Sequence, residues 1–299
     1  MYDDILIPTD GSDHAVRAAE HGAFLADAFD ATVHLLTVVD LSEAAGPFSA
    51  GGVDEEFVDR LETNAQTAID ALDDAVAAVE TVQSSVLTGQ PSKTILDYVD
   101  DHDIDLVTMG THGRRGLSRY LVGSVAERVV RQSPVPVLTV RATERSIVND
   151  GYDDILVPTD GSDYATAAVA HAIAIAEQSE ARIHAVSVVN LGDIATGTEV
   201  GVPPGLLEQF ETLAEESAES VATAAREAGL DAETSVSTGV PARKLLDYVA
   251  NHDIDLVAMG THGRTGWNRL LLGSTAERLV RQTHVPVLTV HRSDEEHEA

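Results

Sequence analysis

The sequence predicts an α/β protein of two tandem doubly wound (Rossmann-like) domains, and three observations carry that prediction. The chain repeats itself: Y-D-D-I-L starts at Tyr2 and again at Tyr152, T-D-G-S-D at Thr9 and Thr159, H-D-I-D-L-V at His102 and His252, and V-P-V-L-T-V at Val135 and Val285. Every match keeps one constant offset, so no net insertion separates the halves, and so long a period marks a duplicated domain rather than a solenoid. Within each half, short apolar runs alternate with helical patterns, which calls for a parallel sheet covered on both faces. Glycine-bearing turns follow the first and fourth of these runs, at the strand ends where such folds gather ligands. The boundaries follow: a first domain over 1–141, a short polar joint over 142–151, a second domain over 152–292 and an acidic tail over 293–299.

The elements of one repeat read in order. Ile5 to Pro8 is a buried strand that ends at the turn Asp10-Gly11-Ser12. Ser12 to Phe29 is a helix with a small-residue packing face that includes Ala15, Ala18, Ala19, Gly22 and Ala26. Thr32 to Val39 is a second strand, and after a Gly/Ser-bearing loop a long helix runs from about Asp54 to Val79. Val82 to Leu87 is a third strand, and Pro91 then opens a helix that reaches about Asp101. Ile104 to Met109 is a fourth strand, Ser124 to Gln132 a last helix and Val135 to Val140 a last strand. Pro134 and Pro136 mark that strand as an edge, because proline cannot donate to a ladder. An edge of Val, Leu and Thr invites pairing, so the two copies are expected to form an internal pseudo-dimer through these strands, with a further homodimer left open.

Composition bounds the partners. Fifty acidic residues face nineteen basic ones for a net charge of −31, and only Lys93 and Lys244 are lysines. Nucleic acid and anionic membrane are repelled by such a field. Disorder is disfavoured by 43% apolar residues in regular runs. Dense carboxylates with scarce lysine suit a protein of a salt-loving cytoplasm, where salt screens self-repulsion. There is no cysteine, no basic-then-apolar leader and no apolar run near the ~20 residues that span a bilayer. A cytoplasmic protein is expected.

The chemistry concentrates in a loop of pattern G-x2-G-x9-G-S, present as Gly110, Gly113, Gly123 and Ser124 and again as Gly260, Gly263, Gly273 and Ser274. It leaves a strand and opens a helix, where backbone amides and the helix dipole favour an anion. Gly110 and Gly113 are expected to let the backbone approach a ligand or to take positive φ. Ser124 and Ser274 have a structural rival role, since S-V-A-E and S-T-A-E both fit a helix capping box. Asp10 and Asp160 have two readings as well: ribose hydroxyls or a magnesium ion carried on phosphate, against an Asx turn. His112 and His262 lie inside the loop, while His34 and His184 sit in strands and read as core. Arginines cluster nearby. Arg114 and Arg264 are read as close to phosphate, and Arg128 and Arg131 as partners of helix-face carboxylates or as complements of the helix's last turn. The Walker pattern G-x4-G-K-[ST] is absent, and nothing marks a nucleophile, an activated base or a metal-spaced cluster.

Together the P-T-D that closes the first strand, the glycine loop and the closing V-P-V strand resemble the universal stress protein family, in its ATP-binding branch. The resemblance covers nearly the whole chain, twice. It implies a five-stranded parallel sheet in each domain with ATP in the crevice. Pro8, Thr9 and Asp10 would flank the nucleoside, the backbone of Val38 would read adenine, and Gly110 would lie by the ribose. Gly113, Gly123, Ser124 and the amide of Val125 would hold phosphates. In the second half the same roles fall to Pro158, Thr159, Asp160, Val188, Gly260, Gly263, Gly273, Ser274 and Thr275. The family's closing strand serves dimerisation. The halves differ at Asp40 against Asn190, at Arg115 against Thr265, and in the loop at 44–49 against 194–199.

Three functions are weighed. A nucleotide-binding stress or signalling module leads. A weak ATPase or phosphotransferase on the same sites lacks visible catalytic groups. A non-nucleotide interaction protein is disfavoured by two intact glycine loops.

Overall fold

The computed structural model describes residues 1–41, 55–113, 122–190, 192, 205–263 and 272–291, with side chains from 60 onward in the second stretch. Met1–Val148 forms one compact unit and Asn149–Ala299 a second.

In the first unit the order is β1 (Asp4–Pro8), α1 (Asp13–Phe29), β2 (Thr32–Val39), α2 (Glu55–Asp70), α3 (Asp73–Val76), β3 (Val82–Thr88), α4 (Pro91–Asp101), β4 (Leu106–Gly110), α5 (Ser124–Gln132) and β5 (Val137–Val140). The strands lie β3-β2-β1-β4-β5, all parallel, so the doubly wound expectation holds. In β1, β4 and β5 nearly every residue is buried, which is why they read as continuous apolar runs rather than alternating ones. α1 starts because Ser12, in extended geometry, caps the helix by accepting from the Ala15 amide. It stops at Asp30, which takes the left-handed conformation at φ 58°.

The second unit repeats the plan with β6 (Asp154–Pro158), α6 (Asp163–Ser179), β7 (Arg182–Val189), α7 (Leu206–Glu227), β8 (Ala232–Thr238), α8 (Pro241–Asn251), β9 (Leu256–Gly260), α9 (Ser274–Gln282) and β10 (Val287–Val290). Its strands lie β8-β7-β6-β9-β10, again all parallel.

Two expectations need correction. The long helix read through Val79 is broken: at Leu72 the amide turns back to the Ile69 carbonyl at 2.8 Å, and Asp73 and Asp74 open a new short helix. The closing strand starts at Val137, so both prolines precede it. Pro136 still offers its carbonyl to the Val107 amide at 3.0 Å, the one ladder bond a proline can make.

The joint after the first domain is tied down where it is described. A single 3₁₀ turn, Glu144–Ser146, returns the Ser146 side chain to the Thr143 backbone. His21, buried in α1, hydrogen-bonds the Ser146 carbonyl at 2.8 Å.

Candidate functional site

The crevice is built by a ladder that stops. β1 pairs with β2 along all five of its residues, but with β4 only at Ile5 and Leu6. Donors alternate sides along a strand, and the Thr9 amide goes to Leu36 on the β2 side at 2.8 Å. Pro8 therefore faces β4 and has no N–H to extend that ladder. The strands part at their carboxyl ends, at the point where the strand order reverses. Pro158 repeats the arrangement, with β6 paired to β9 only at Ile155 and Leu156.

Residues after β1 form the wall on one side. Asp10 accepts from the Ser12 amide at 3.1 Å, and Asp160 from Ser162 at 3.0 Å, so the Asx-turn reading holds for one carboxylate oxygen. The other oxygen, Oδ2, points at the glycine loop: a β-carbon on Gly113 would collide with Asp10 Oδ2, and one on Gly263 would lie 2.5 Å from Asp160 Oδ2. One carboxylate oxygen thus serves the turn while the other faces the loop. Thr9 and Thr159 are buried and turn their hydroxyls to the Gly11 and Gly161 amides at 3.0 and 3.1 Å.

The glycine loop supplies the other wall. The Gly123 amide returns to the Thr111 carbonyl at 2.7 Å, and Gly273 to Thr261 at 2.8 Å, closing each loop at its base. The expected positive φ is not the reason for these glycines. None of Gly110, Gly113, Gly260 and Gly263 is among the positive-φ residues, and Gly123 sits at φ −61°. At Gly110 a β-carbon would stand 2.8 Å from the His14 carbonyl carbon, so helix α1 can lie against the end of β4 only over glycine. Gly260 meets Tyr164 in the same way. The capping-box reading of Ser124 and Ser274 is also corrected. The N-caps are Gly123 and Gly273, with no side-chain cap bond, and both serines are exposed first-turn residues. The amides at these helix starts therefore lack a capping side chain.

His112 and His262 lie at this loop, each sharing a hydrogen bond between Nδ1 and the neighbouring threonine hydroxyl, at 2.9 and 3.0 Å. In the first unit the His14 ring lies 5.1 Å from His112, and its Nδ1 accepts from the Ala142 amide at 2.8 Å. Burial, helped by the Arg141 charge, pushes the His14 pKa below its ordinary value against the pull of Asp13 and Asp10. His34 and His184 are core, as expected: each bridges a carboxylate (Asp4, Asp154) and a tyrosine hydroxyl (Tyr98, Tyr248) at the amino ends of the strands, away from the crevice. Arg131 and Arg281 hold Glu127 and Glu277. Arg128 departs from its expected carboxylate and donates to the Ser92 hydroxyl at 3.1 Å. Arg114 and Arg264 lie outside the described residues. Among the described residues no group of three acidic or histidine side chains could hold a metal alone.

In the second unit these parts enclose a cavity of about 750 Å³. Its wall includes Pro158, Thr159, Asp160, Val188, Gly260, His262, Gly263, Gly273, Ser274 and Thr275, every site residue named there from sequence except Arg264. The first-unit counterparts Pro8, Thr9, Asp10, Val38, Gly110, His112, Gly113, Gly123, Ser124 and Val125 occupy the same places on the same elements. Sequence reading missed the apolar half of the wall: Phe210, Leu213 and Ala214 from α7, Pro241 and Leu245 from α8, and Met259 from β9. Only the structure marks one of them, since Leu213 is a large apolar residue left 45% exposed on an amphipathic helix.

Comparison with known proteins agrees with this geometry. The model of the universal stress protein family matches residues 1–141 and again 151–291. A universal stress protein of Methanocaldococcus jannaschii is 36% identical over 154 residues, covering 50% of this chain and 91% of its own. One from Mycolicibacterium smegmatis is 29% identical over 297 residues, 96% of each chain. Among solved structures, a universal stress protein from Archaeoglobus fulgidus shares the fold over 98% of this chain and 97% of its own, with a TM-score of 0.71 at 22% identity. With its parallel sheet order, its paired crevices and this double match, the chain belongs to the universal stress protein family and carries two such domains in tandem.

Proposed function

We propose that the chain binds ATP and serves as a nucleotide-responsive stress or signalling module. The observation that carries this reading is the second-unit cavity, whose volume of about 750 Å³ suits a nucleotide and whose wall divides by chemistry. Val186, Val188, Phe210, Leu213 and Leu245 give an apolar side for a base. Gly273, Ser274 and Thr275 give amides at a helix start for phosphate. Asp160 stands between them, placed for a ribose hydroxyl or for a magnesium ion brought by the phosphates, which needs only one or two protein carboxylates. The same roles in the first unit fall to Val38, to Gly123, Ser124 and Val125, and to Asp10.

The chain is read as a binding protein rather than an enzyme. The charge of −31 supports a reading as a protein of a salt-loving organism with no nucleic-acid or membrane partner, and we place it in the cytoplasm on the same reading. No described helix is long and apolar enough to cross a membrane. Its two domains are read as a pseudo-dimer through their closing strands, so cleavage in the joint should leave the halves eluting together.

Mg-ATP should raise the melting temperature of the protein, because a ligand bound only to the folded state stabilises it by mass action. Gly273→Val should remove the second-site share of that shift, since a side chain there meets the Thr261 carbonyl from 3.0 Å outward and fills the phosphate space. An unchanged melting temperature in the parent protein would contradict the reading. Phosphate released on incubation with ATP would move it to an ATPase.

A further inference from the structure

Among the differences between the two domains near the cavity, Ser92 against Ala242 bears on an arginine. In the first unit Arg128, on the exposed face of α5, sends its guanidinium to the Ser92 hydroxyl at 3.1 Å. Ser92 is buried at the start of α4 and follows Pro91. The second-unit counterparts are Arg278, Ala242 and Pro241. Pro241 lines the cavity, and Ala242 beside it has no side-chain acceptor. A guanidinium at this helix position therefore reaches the cavity rim, as Arg128 shows, but in the second unit nothing there holds it.

Nor is Arg278 held elsewhere. Arg182, Arg226 and Arg281 each meet a carboxylate, whereas Arg278 makes no ion pair or hydrogen bond among the described residues. Arg278 stands one turn after cavity-lining Ser274 on the same helix face, and helical side chains lean toward the helix start. Its reach is thus directed to the end of the site where the amides of residues 273–275 would hold phosphate. In a chain of net charge −31, a cation left unpaired beside such a site is a selective feature.

Resting on the ATP-binding reading, we infer that Arg278 gives the second-domain site its preference for nucleoside polyphosphates over monophosphates. Ser92 withholds the equivalent Arg128 from the first-domain site, so the two sites differ in phosphate selectivity. Arg278 contacts the outermost phosphates, while the helix-start amides serve any nucleotide. Substitutions at 278 and 242 therefore change the ratio of ATP to AMP affinity rather than binding in general.

The test is calorimetric titration with ATP and with AMP at fixed salt, in a Gly123→Val background that leaves the second site to be read. Arg278→Gln, on an exposed side chain, should weaken ATP binding about tenfold and AMP binding about twofold or less, as expected for loss of one charge-assisted contact. Ala242→Ser should give the same change in weaker form by offering Arg278 the acceptor that Arg128 has. In the reciprocal Gly273→Val background, Ser92→Ala should raise the first site's ATP:AMP ratio. Retained ATP binding with an unchanged ratio in Arg278→Gln would overturn this inference and leave the nucleotide reading intact. No binding of either nucleotide to the parent protein would overturn both.

Discussion

Residue pairs that differ between the halves show what each side chain does. Gly22 in α1 lies over Ile7, where an added β-carbon would come within 2.6 Å of the Ile7 Cδ1. The second unit has Ala172 and Val157 at these positions, so the methyl gained on the helix is matched by one lost on the strand. Gly22→Ala alone should cost about 1–3 kcal/mol by overpacking. In an Ile7→Val background it should be neutral or stabilising, as alanine recovers about 1 kcal/mol of helix propensity. Denaturant titration of the four proteins of the cycle measures the coupling, and additive effects would refute the contact. Sequence alone showed that Gly22 belonged to a packing face, because the small residues recur with helical spacing. It did not show why Gly110 is glycine: that need comes from the backbone of His14, which only the fold brings there.

At the scale of elements, the alternation of strand and helix was legible because buried parallel strands read as apolar runs, whereas the strand order came only with the fold. The break at Leu72 was not legible, since it depends on one amide choosing the Ile69 carbonyl over that of Ala68, one residue further back. The capping box misled for a related reason: the S-x-x-E pattern is present, but the loop closes through the Gly123 amide and moves the cap one residue earlier. The docking of the joint onto α1 was also hidden, because His21 gave no pattern. Burial lowers its pKa to about 4 despite the Ser146 carbonyl, with Arg17 adding to the shift. The native state therefore stays unprotonated at His21 while the unfolded chain takes a proton near pH 6.5. Stability from this site is constant above pH 6.5 and is lost as pH falls from there toward 4. The parent protein should lose stability over that window more steeply than His21→Gln, by urea titration at several pH values. Parallel pH profiles would show that His21 is protonated in the native state.

For the whole molecule, duplication was the plainest message of the sequence, and the family match over both halves agrees with it. The polar half of the crevice wall was legible because the glycine loop and the helix start that it opens follow one another in the sequence. The apolar half was not, because Phe210 and Leu213 lie a turn apart on α7 while Leu245 comes from α8, and only the fold brings the two helices to one wall. Charge acts at this scale too. With −31 formal charges spread through both halves, the melting temperature should rise with potassium chloride as self-repulsion is screened. A fall with salt would contradict that account.

The central claim is that both crevices take a nucleotide, and titration calorimetry with Mg-ATP in high salt tests it most directly. The predicted result is binding at two sites of unequal affinity, with Gly123→Val and Gly273→Val each removing one. Absence of heat together with an unchanged melting temperature would contradict it.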